Sequence, residues 1–191
     1  MSLIGSPLGV EAARRLARLG CVDIQPGLTN AEFTTVEQRF GFEFARDHRA
    51  FLAEGLPVWT VGGDDHPDCS NWGWPDWRDG DPDTLRQQVD HPTAVILDAV
   101  RKGYWPTEWR KRPADPEQAM IKARARLADV PRMVPVYAHR YLPAGRDTSA
   151  QPVLSIHTLH DTIVYGLDLA DYIDQEFRTA ELNVPFWRDI L

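Results

Sequence analysis

Cysteine is scarce in this chain, and its scarcity removes two functional classes. The 191 residues contain only Cys21 and Cys69, which lie far apart in the sequence. Neither belongs to a C-x-x-C pair, the spacing that zinc ribbons and thiol–disulfide oxidoreductases need. We therefore interpret both as reduced structural thiols and expect no thiol redox chemistry.

Long apolar runs and targeting patterns are also missing from the sequence. No apolar run approaches the roughly 20 residues that a membrane-spanning helix needs. In residues 1–15 the arginines follow the short apolar part, which reverses the order of a signal peptide. We therefore expect a cytoplasmic protein that does not contact a membrane.

Charge is concentrated in two neighbouring segments of opposite sign. The net charge is -7 at pH 7. Residues 62–98 contain nine aspartates and two arginines, whereas residues 101–126 contain eight basic and three acidic residues. The chain should therefore be locally dipolar, and a uniformly basic nucleic-acid-binding surface is disfavoured.

The N-terminal third has the periodicity and capping signals of three helices. Apolar residues recur at helical spacing over residues 8–19 and again over residues 45–54. Between these segments, Thr29 and Glu32 form a capping-box pattern that starts another helix. A short strand is predicted for residues 56–61, where a pair of glycines ends it.

The middle of the chain is predicted to contain three elements. Asp81 and Pro82 are a typical N-cap and first residue of a helix. We expect His91–Pro92 to interrupt that helix, because proline lacks the N–H that a helix needs, and a separate short element to cover residues 94–100. A further helix is predicted for residues 117–128.

The C-terminal part has the pattern of a sheet followed by a helix. A strand is predicted for residues 133–141, and a hairpin for residues 153–157 and 162–165. Asp168 should cap the last helix, which carries an apolar face up to Phe177.

Two of these segments resemble the SUKH superfamily. Residues 27–52 carry the pattern GLT-x-x-EF-x-x-VE-x-x-FGF-x-F-x-x-DHRAFL, and residues 152–177 carry PVLSIH-x-x-x-DTIVYG-x-DLADYI-x-x-EF. They are similar to the entry helices and to the C-terminal hairpin and helix of that superfamily. Its members include fungal cell-wall-assembly regulators and bacterial immunity proteins that neutralise polymorphic toxins.

The resemblance implies an α+β fold, in which helices pack on one face of a curved, mostly antiparallel sheet. It also implies three parts of the chain. Residues 1–26 would form an N-terminal helical extension, residues 27–178 the SUKH-like domain, and residues 179–191 a C-terminal tail packed on the domain. The members share a binding role and no common catalytic residue, so we expect a protein that is not an enzyme.

The loop over residues 62–83 is the strongest candidate for a functional surface. Tryptophans supply the large contact areas of binding hot spots, and aspartates steer a basic partner towards them. In the alternative interpretation the tryptophans fold back as the core of the loop, and the aspartates are solvated. The candidate partner-binding residues are Asp64, Asp65, Trp72, Trp74, Asp76, Trp77 and Asp79.

Histidines near the sheet offer a second candidate, a ligand cleft formed by His139, His157 and Tyr165. A metal ion is not expected there, because His157 and His160 lie three apart in an extended strand and point to opposite faces. No other cofactor is expected. No catalytic residue is assigned, because no nucleophile and orienting carboxylate accompany His139.

The leading hypothesis from the sequence is a non-enzymatic protein-binding domain of the SUKH type. The resemblance suggests an immunity protein that blocks the active site of a basic toxin domain. One alternative is a small-molecule-binding protein or enzyme that uses the cleft around His139, His157 and Tyr165, and another is a regulatory scaffold protein. A homodimer is left open.

Overall fold

The computed structural model describes residues 6–58 and 73–177, and these form an α+β fold. The helices are α1 (Pro7–Leu19), α2 (Asn30–Phe40), α3 (Arg46–Glu54), α4 (Pro82–Arg101), α5 (Pro116–Ala128) and α6 (Leu169–Phe177). The strands are β1 (Asp23–Gln25), β2 (Leu56–Val58), β3 (Met133–Tyr137), β4 (Arg140–Pro143), β5 (Val153–Thr158) and β6 (Asp161–Gly166). A short 3-10 helix covers Thr107–Trp109.

The predicted helix starts are confirmed by their hydrogen bonds. The Thr29 hydroxyl accepts from the backbone N–H of Glu32, and the Glu32 carboxylate accepts from the backbone N–H of Thr29. This reciprocal pair is the capping box. Asp168 caps α6 by accepting two backbone N–H groups of its first turn at 2.9 Å.

The prediction that Pro92 interrupts α4 is wrong. The helix runs without a break from Pro82 to Arg101, with Pro92 buried inside it. Proline at this position cannot donate to the carbonyl of Gln88, four residues earlier. The Tyr141 hydroxyl donates to that carbonyl at 3.1 Å instead. A side chain from β4 thus replaces the missing helical hydrogen bond.

Tyr141→Phe should lower the free energy of unfolding by about 1–2 kcal/mol, because it leaves the buried Gln88 carbonyl without this donor. In a Pro92→Ala background the loss should be smaller, since the new N–H of residue 92 can bond the same carbonyl. Urea unfolding of the two single variants and the double variant measures the difference. Equal losses in both backgrounds would contradict this role of Tyr141.

The large sheet is a meander of four antiparallel strands in the order β3–β4–β5–β6, and β1 pairs with β2 separately. The strand predicted for residues 133–141 is in fact a hairpin, in which Tyr137 pairs with Arg140 across a two-residue turn. Ala138 adopts φ 45° in that turn. Its backbone N–H donates to the Gly73 carbonyl, and its carbonyl accepts from Gln88. These tertiary contacts hold a turn that its residue types do not favour.

Helices lie on both faces of the large sheet, whereas the resemblance implied one face. Neighbouring residues of a strand point to opposite faces. In β4, Arg140 bonds Glu176 of α6 at 3.2 Å, and Tyr141 bonds Gln88 of α4. The α+β class is therefore confirmed, but α4 covers the face that the prediction left open.

The helix of the N-terminal extension belongs to the same core as the rest of the fold. Ala12 and Leu16 of α1 are buried in the main apolar cluster. A Cβ at Gly9 would lie 2.0 Å from the backbone oxygen of Asp47 in α3. Only glycine allows this close approach of α1 to α3.

Candidate ligand-binding cleft

Two of the predicted partner-binding tryptophans are part of the core. Trp74 is 6% exposed and Trp77 is 5% exposed. The Trp77 ring packs edge-on against three phenylalanines of the α2–α3 region, and the Trp74 ring stacks on Phe51 and Phe177. Their assignment as contact residues is therefore corrected, because rings buried among other rings cannot provide a contact surface.

The described end of the acidic loop is a folded turn. Asp76 accepts the backbone N–H groups of Arg78 and Asp79 at 3.0 Å, so this aspartate closes the turn. Arg78 forms an ion pair with Glu32 at 2.5 Å, and its hydrogen bond lowers the pKa of Glu32 to about 2. Asp79 is exposed. Asp64, Asp65 and Trp72 lie outside the described residues.

The predicted histidine cleft is only partly assembled. The rings of His139 and His157 lie 5.4 Å apart, centroid to centroid. Tyr165 does not join them, because its ring lies 3.9 Å from the guanidinium of Arg140 and packs against Tyr172. The Arg140 side chain reaches the α6 face of the sheet, so Tyr165 belongs to that face.

A cleft of about 590 Å³ opens between α4 and the turn that joins β5 to β6. Ala94, Val95, Ala99 and Leu159 provide its apolar lining. The remaining lining residues are His91, Asp98, Lys102, Tyr104, His157, Thr158 and His160. His157 is thus the one member of the predicted cleft that lines this one.

Helix α4 and strand β5 are fixed to each other next to the cleft. The Nε2 atom of His91 lies 3.1 Å from the Ile156 carbonyl of β5. The register between β5 and β6 then shifts between Ile156 and Thr158, which places His157 at an irregularity of the ladder. A bulge of this kind redirects a side chain relative to a regular strand. His157 is exposed, and its Nδ1 lies 3.8 Å from the Asp161 carboxylate.

The charged groups of the cleft compensate one another. Lys102 pairs with Asp98 at 2.6 Å, and Arg101 pairs with the same carboxylate at 3.3 Å. The hydrogen bond from Lys102 is the main cause that lowers the pKa of Asp98. Burial lowers the pKa of His91, and burial together with the nearby Arg140 lowers the pKa of His139 to about 4. Near pH 7 these two imidazoles are therefore neutral.

Two other features are absent from the described residues, a metal-binding cluster and a membrane-spanning helix. No set of three or more histidine, cysteine, aspartate or glutamate side chains within residues 6–58 and 73–177 is arranged to hold a metal ion. In the same ranges, no helix combines the length and apolar character that crossing a membrane requires.

The α4 side of the cleft was not predicted from the sequence. His91, Val95, Asp98 and Lys102 follow one another at intervals of three or four residues, which places them on one face of a continuous helix. The predicted break at Pro92 divided this face between two elements. If the helix had been predicted to continue through Pro92, this spacing would have indicated the face of α4 that lines the cleft.

Comparison with known proteins gives no relative: the chain matches no protein-family model, no curated protein and no solved structure.

Proposed function

We propose that this chain is a binding protein whose ligand, a small molecule, occupies the cleft between α4 and the β5–β6 turn. The observation that carries the proposal is the cleft itself. Its volume of about 590 Å³ lies in the range of small-molecule sites, roughly 300–1,000 Å³. An apolar lining beside a few polar side chains is also typical of such sites.

Binding without catalysis is supported by the state of the histidines. The His91 imidazole is engaged with the Ile156 carbonyl, which fixes α4 to β5. The low pKa of His139, about 4, makes it a weak base near pH 7. His91 therefore supports the shape of the cleft rather than proton transfer.

A fragment screen by saturation-transfer NMR tests this function. Ala94 lines the cleft and is exposed, so Ala94→Trp should fill the cleft without disturbing the core. Ala125 is also exposed, on α5, and does not line the cleft, so Ala125→Trp is the matched control. We expect some fragments to bind both the wild type and Ala125→Trp. The same fragments should not bind Ala94→Trp. Fragments that bind all three proteins equally would place binding elsewhere.

The second candidate is the immunity function suggested by the resemblance to the SUKH superfamily. It is favoured by one observation: Asp79, Asp81 and Asp83 are all exposed around the start of α4. A cluster of exposed carboxylates accelerates association with a basic protein surface. In this hypothesis the acidic surface, which consists of these three aspartates, covers the cationic active site of a toxin and blocks it by charge and contact.

Charge reversal tests this second candidate. Asp79→Lys with Asp83→Lys changes the acidic surface, whereas Asp23→Lys changes an exposed residue of β1. Asp76 is left unchanged, because its carboxylate closes a turn. We expect the wild type and Asp23→Lys to recover a basic protein from the lysate. The double variant should not recover it. Equal recovery by all three proteins would eliminate the acidic surface as the site.

A further inference from the structure

We infer that the cleft selects uncharged small molecules with an aromatic or aliphatic body, and that it discriminates against both anionic and cationic analogues. This inference rests on the proposed function, because it specifies the ligand of the same cleft. It follows from the way in which the cleft's own charges are already paired.

The acid and the base of the lining are already paired with each other. Asp98 lies in the last turn of α4 and Lys102 is the C-cap residue of that helix, and their oxygen and nitrogen are 2.6 Å apart. Arg101 approaches the same carboxylate from outside the lining at 3.3 Å. An anionic ligand would therefore compete with Asp98 for Lys102, and a cationic ligand would compete with two basic side chains for Asp98.

The His91 imidazole of the lining does not change this balance near pH 7. His91 is half-buried and engaged with the β5 backbone, and its burial disfavours the charged form. This ring therefore offers the cleft a flat, hydrogen-bonding contact surface, and it does not act as a fixed positive charge.

The rest of the lining favours an apolar body. Ala94, Val95 and Ala99 form one side of the cleft on α4, and Leu159 faces them from the turn. Tyr104 follows the C-terminal end of α4, and 42% of its surface is exposed. A ring placed between α4 and the turn would cover this exposed apolar surface without separating the Asp98–Lys102 pair.

Three compounds with one ring system and different charges test the inference: indole, indole-3-acetate and tryptamine. Their affinities are measured at pH 7.5 from amide chemical shifts of the wild-type protein, with Ala94→Trp as the occluded control. We expect indole to bind in the cleft about tenfold more tightly than either charged compound, or better, because neither charge finds an unpaired partner. Equal or tighter binding of a charged compound would overturn the inference.

Asp98→Asn is expected to change this selectivity in favour of the anionic compound. This change keeps the side-chain shape but releases Lys102 and Arg101 from their shared carboxylate. The affinity of indole-3-acetate relative to indole should then rise by about fivefold or more, whereas that of tryptamine should fall. An unchanged ratio would show that the ion pair does not set the selectivity.

The two proposals fail in different ways. If none of the three compounds shifts the amides around the cleft, the inferred ligand class is wrong. The proposed function then depends on the fragment screen, which can still find ligands of another class that Ala94→Trp excludes. If that screen also finds none, the cleft is not a binding site.

Discussion

Lowering the pH from 6.5 to 4.5 will cost this fold several kcal/mol of its free energy of unfolding. His48 on α3 is 1% exposed, and burial lowers its pKa to about 3. The unfolded chain has an ordinary histidine pKa of about 6.5. The neutral imidazole thus stabilises the folded state fully above pH 6.5, and this stabilisation is lost as the pH falls towards the folded pKa. The complete loss corresponds to about 4–5 kcal/mol.

His139 acts in the same direction, with its pKa lowered to about 4. Asp47 affects stability in the opposite direction to both histidines. Burial raises the pKa of its carboxyl group, so protonation at low pH removes the free-energy cost of a buried charge and stabilises the folded state. Asp47 also accepts two backbone N–H groups, from His48 and Ala150, which favour its charged form. We therefore expect the histidine effect to dominate the slope of stability against pH.

Urea unfolding at several pH values between 7.5 and 4.5 measures this slope. His48→Phe removes the titrating group and keeps a ring beside Phe44, which His48 contacts edge-on at 5.1 Å. This variant should lose much less stability on acidification than the wild type. His160→Phe, at an exposed position, should keep the wild-type slope. A wild-type stability that does not change over this range would contradict the buried neutral state of His48.

Trp77→Ala will lower the free energy of unfolding by about 3–5 kcal/mol, because it removes a buried ring and leaves a cavity. The Trp77 ring lies 5.7 Å from that of Phe40, 5.9 Å from Phe42 and 5.5 Å from Phe44. It therefore connects the end of α2 to the turn that Asp76 closes. Thermal and urea unfolding, followed by circular dichroism, measure the loss.

Trp105→Ala is the matched control for this prediction. Trp105 is half-buried near the 3-10 helix and is not part of the main apolar cluster. Its removal should cost clearly less than that of Trp77. A loss below about 1 kcal/mol for Trp77→Ala would mean that the ring is exposed in solution. That result would support the original prediction that Trp77 contacts a partner.

Local signals of the sequence predicted the parts of the fold that depend on local interactions. The capping box of α2 and the Asp168 cap of α6 involve residues close in sequence, so their patterns were sufficient. The β5–β6 hairpin was predicted for a similar reason, since its strands alternate around a short turn. The α+β class was implied by the resemblance of two segments to the SUKH superfamily, and the structure confirms the class.

The parts that depend on distant partners could not be predicted in this way. Pro92 stays within α4 because Tyr141, far along the chain, donates to the carbonyl that proline leaves open. The turn at Ala138 and His139 lacks glycine and asparagine, and its conformation is held by Gly73 and Gln88. Neither compensation is visible in the local sequence.

The candidate site shows the same limit. His157 was found because a histidine in a hairpin is conspicuous, whereas Ala94 and Ala99 are ordinary helix residues. Their role appears only when α4 and the β5–β6 turn are placed opposite each other. The acidic loop was singled out by its composition, but the burial of Trp74 and Trp77 depends on aromatic partners from α2, α3 and α6.

Whether the cleft binds a small molecule is best tested by a map of amide chemical shifts. The strongest fragment from the screen is added to isotope-labelled wild-type protein at pH 7.5. We expect the largest shifts on residues 94–99 of α4 and residues 157–160 of the turn, and we expect them to vanish in Ala94→Trp. Shifts centred on Asp79, Asp81 and Asp83 or on any other surface, or shifts that persist in Ala94→Trp, would contradict binding in the cleft.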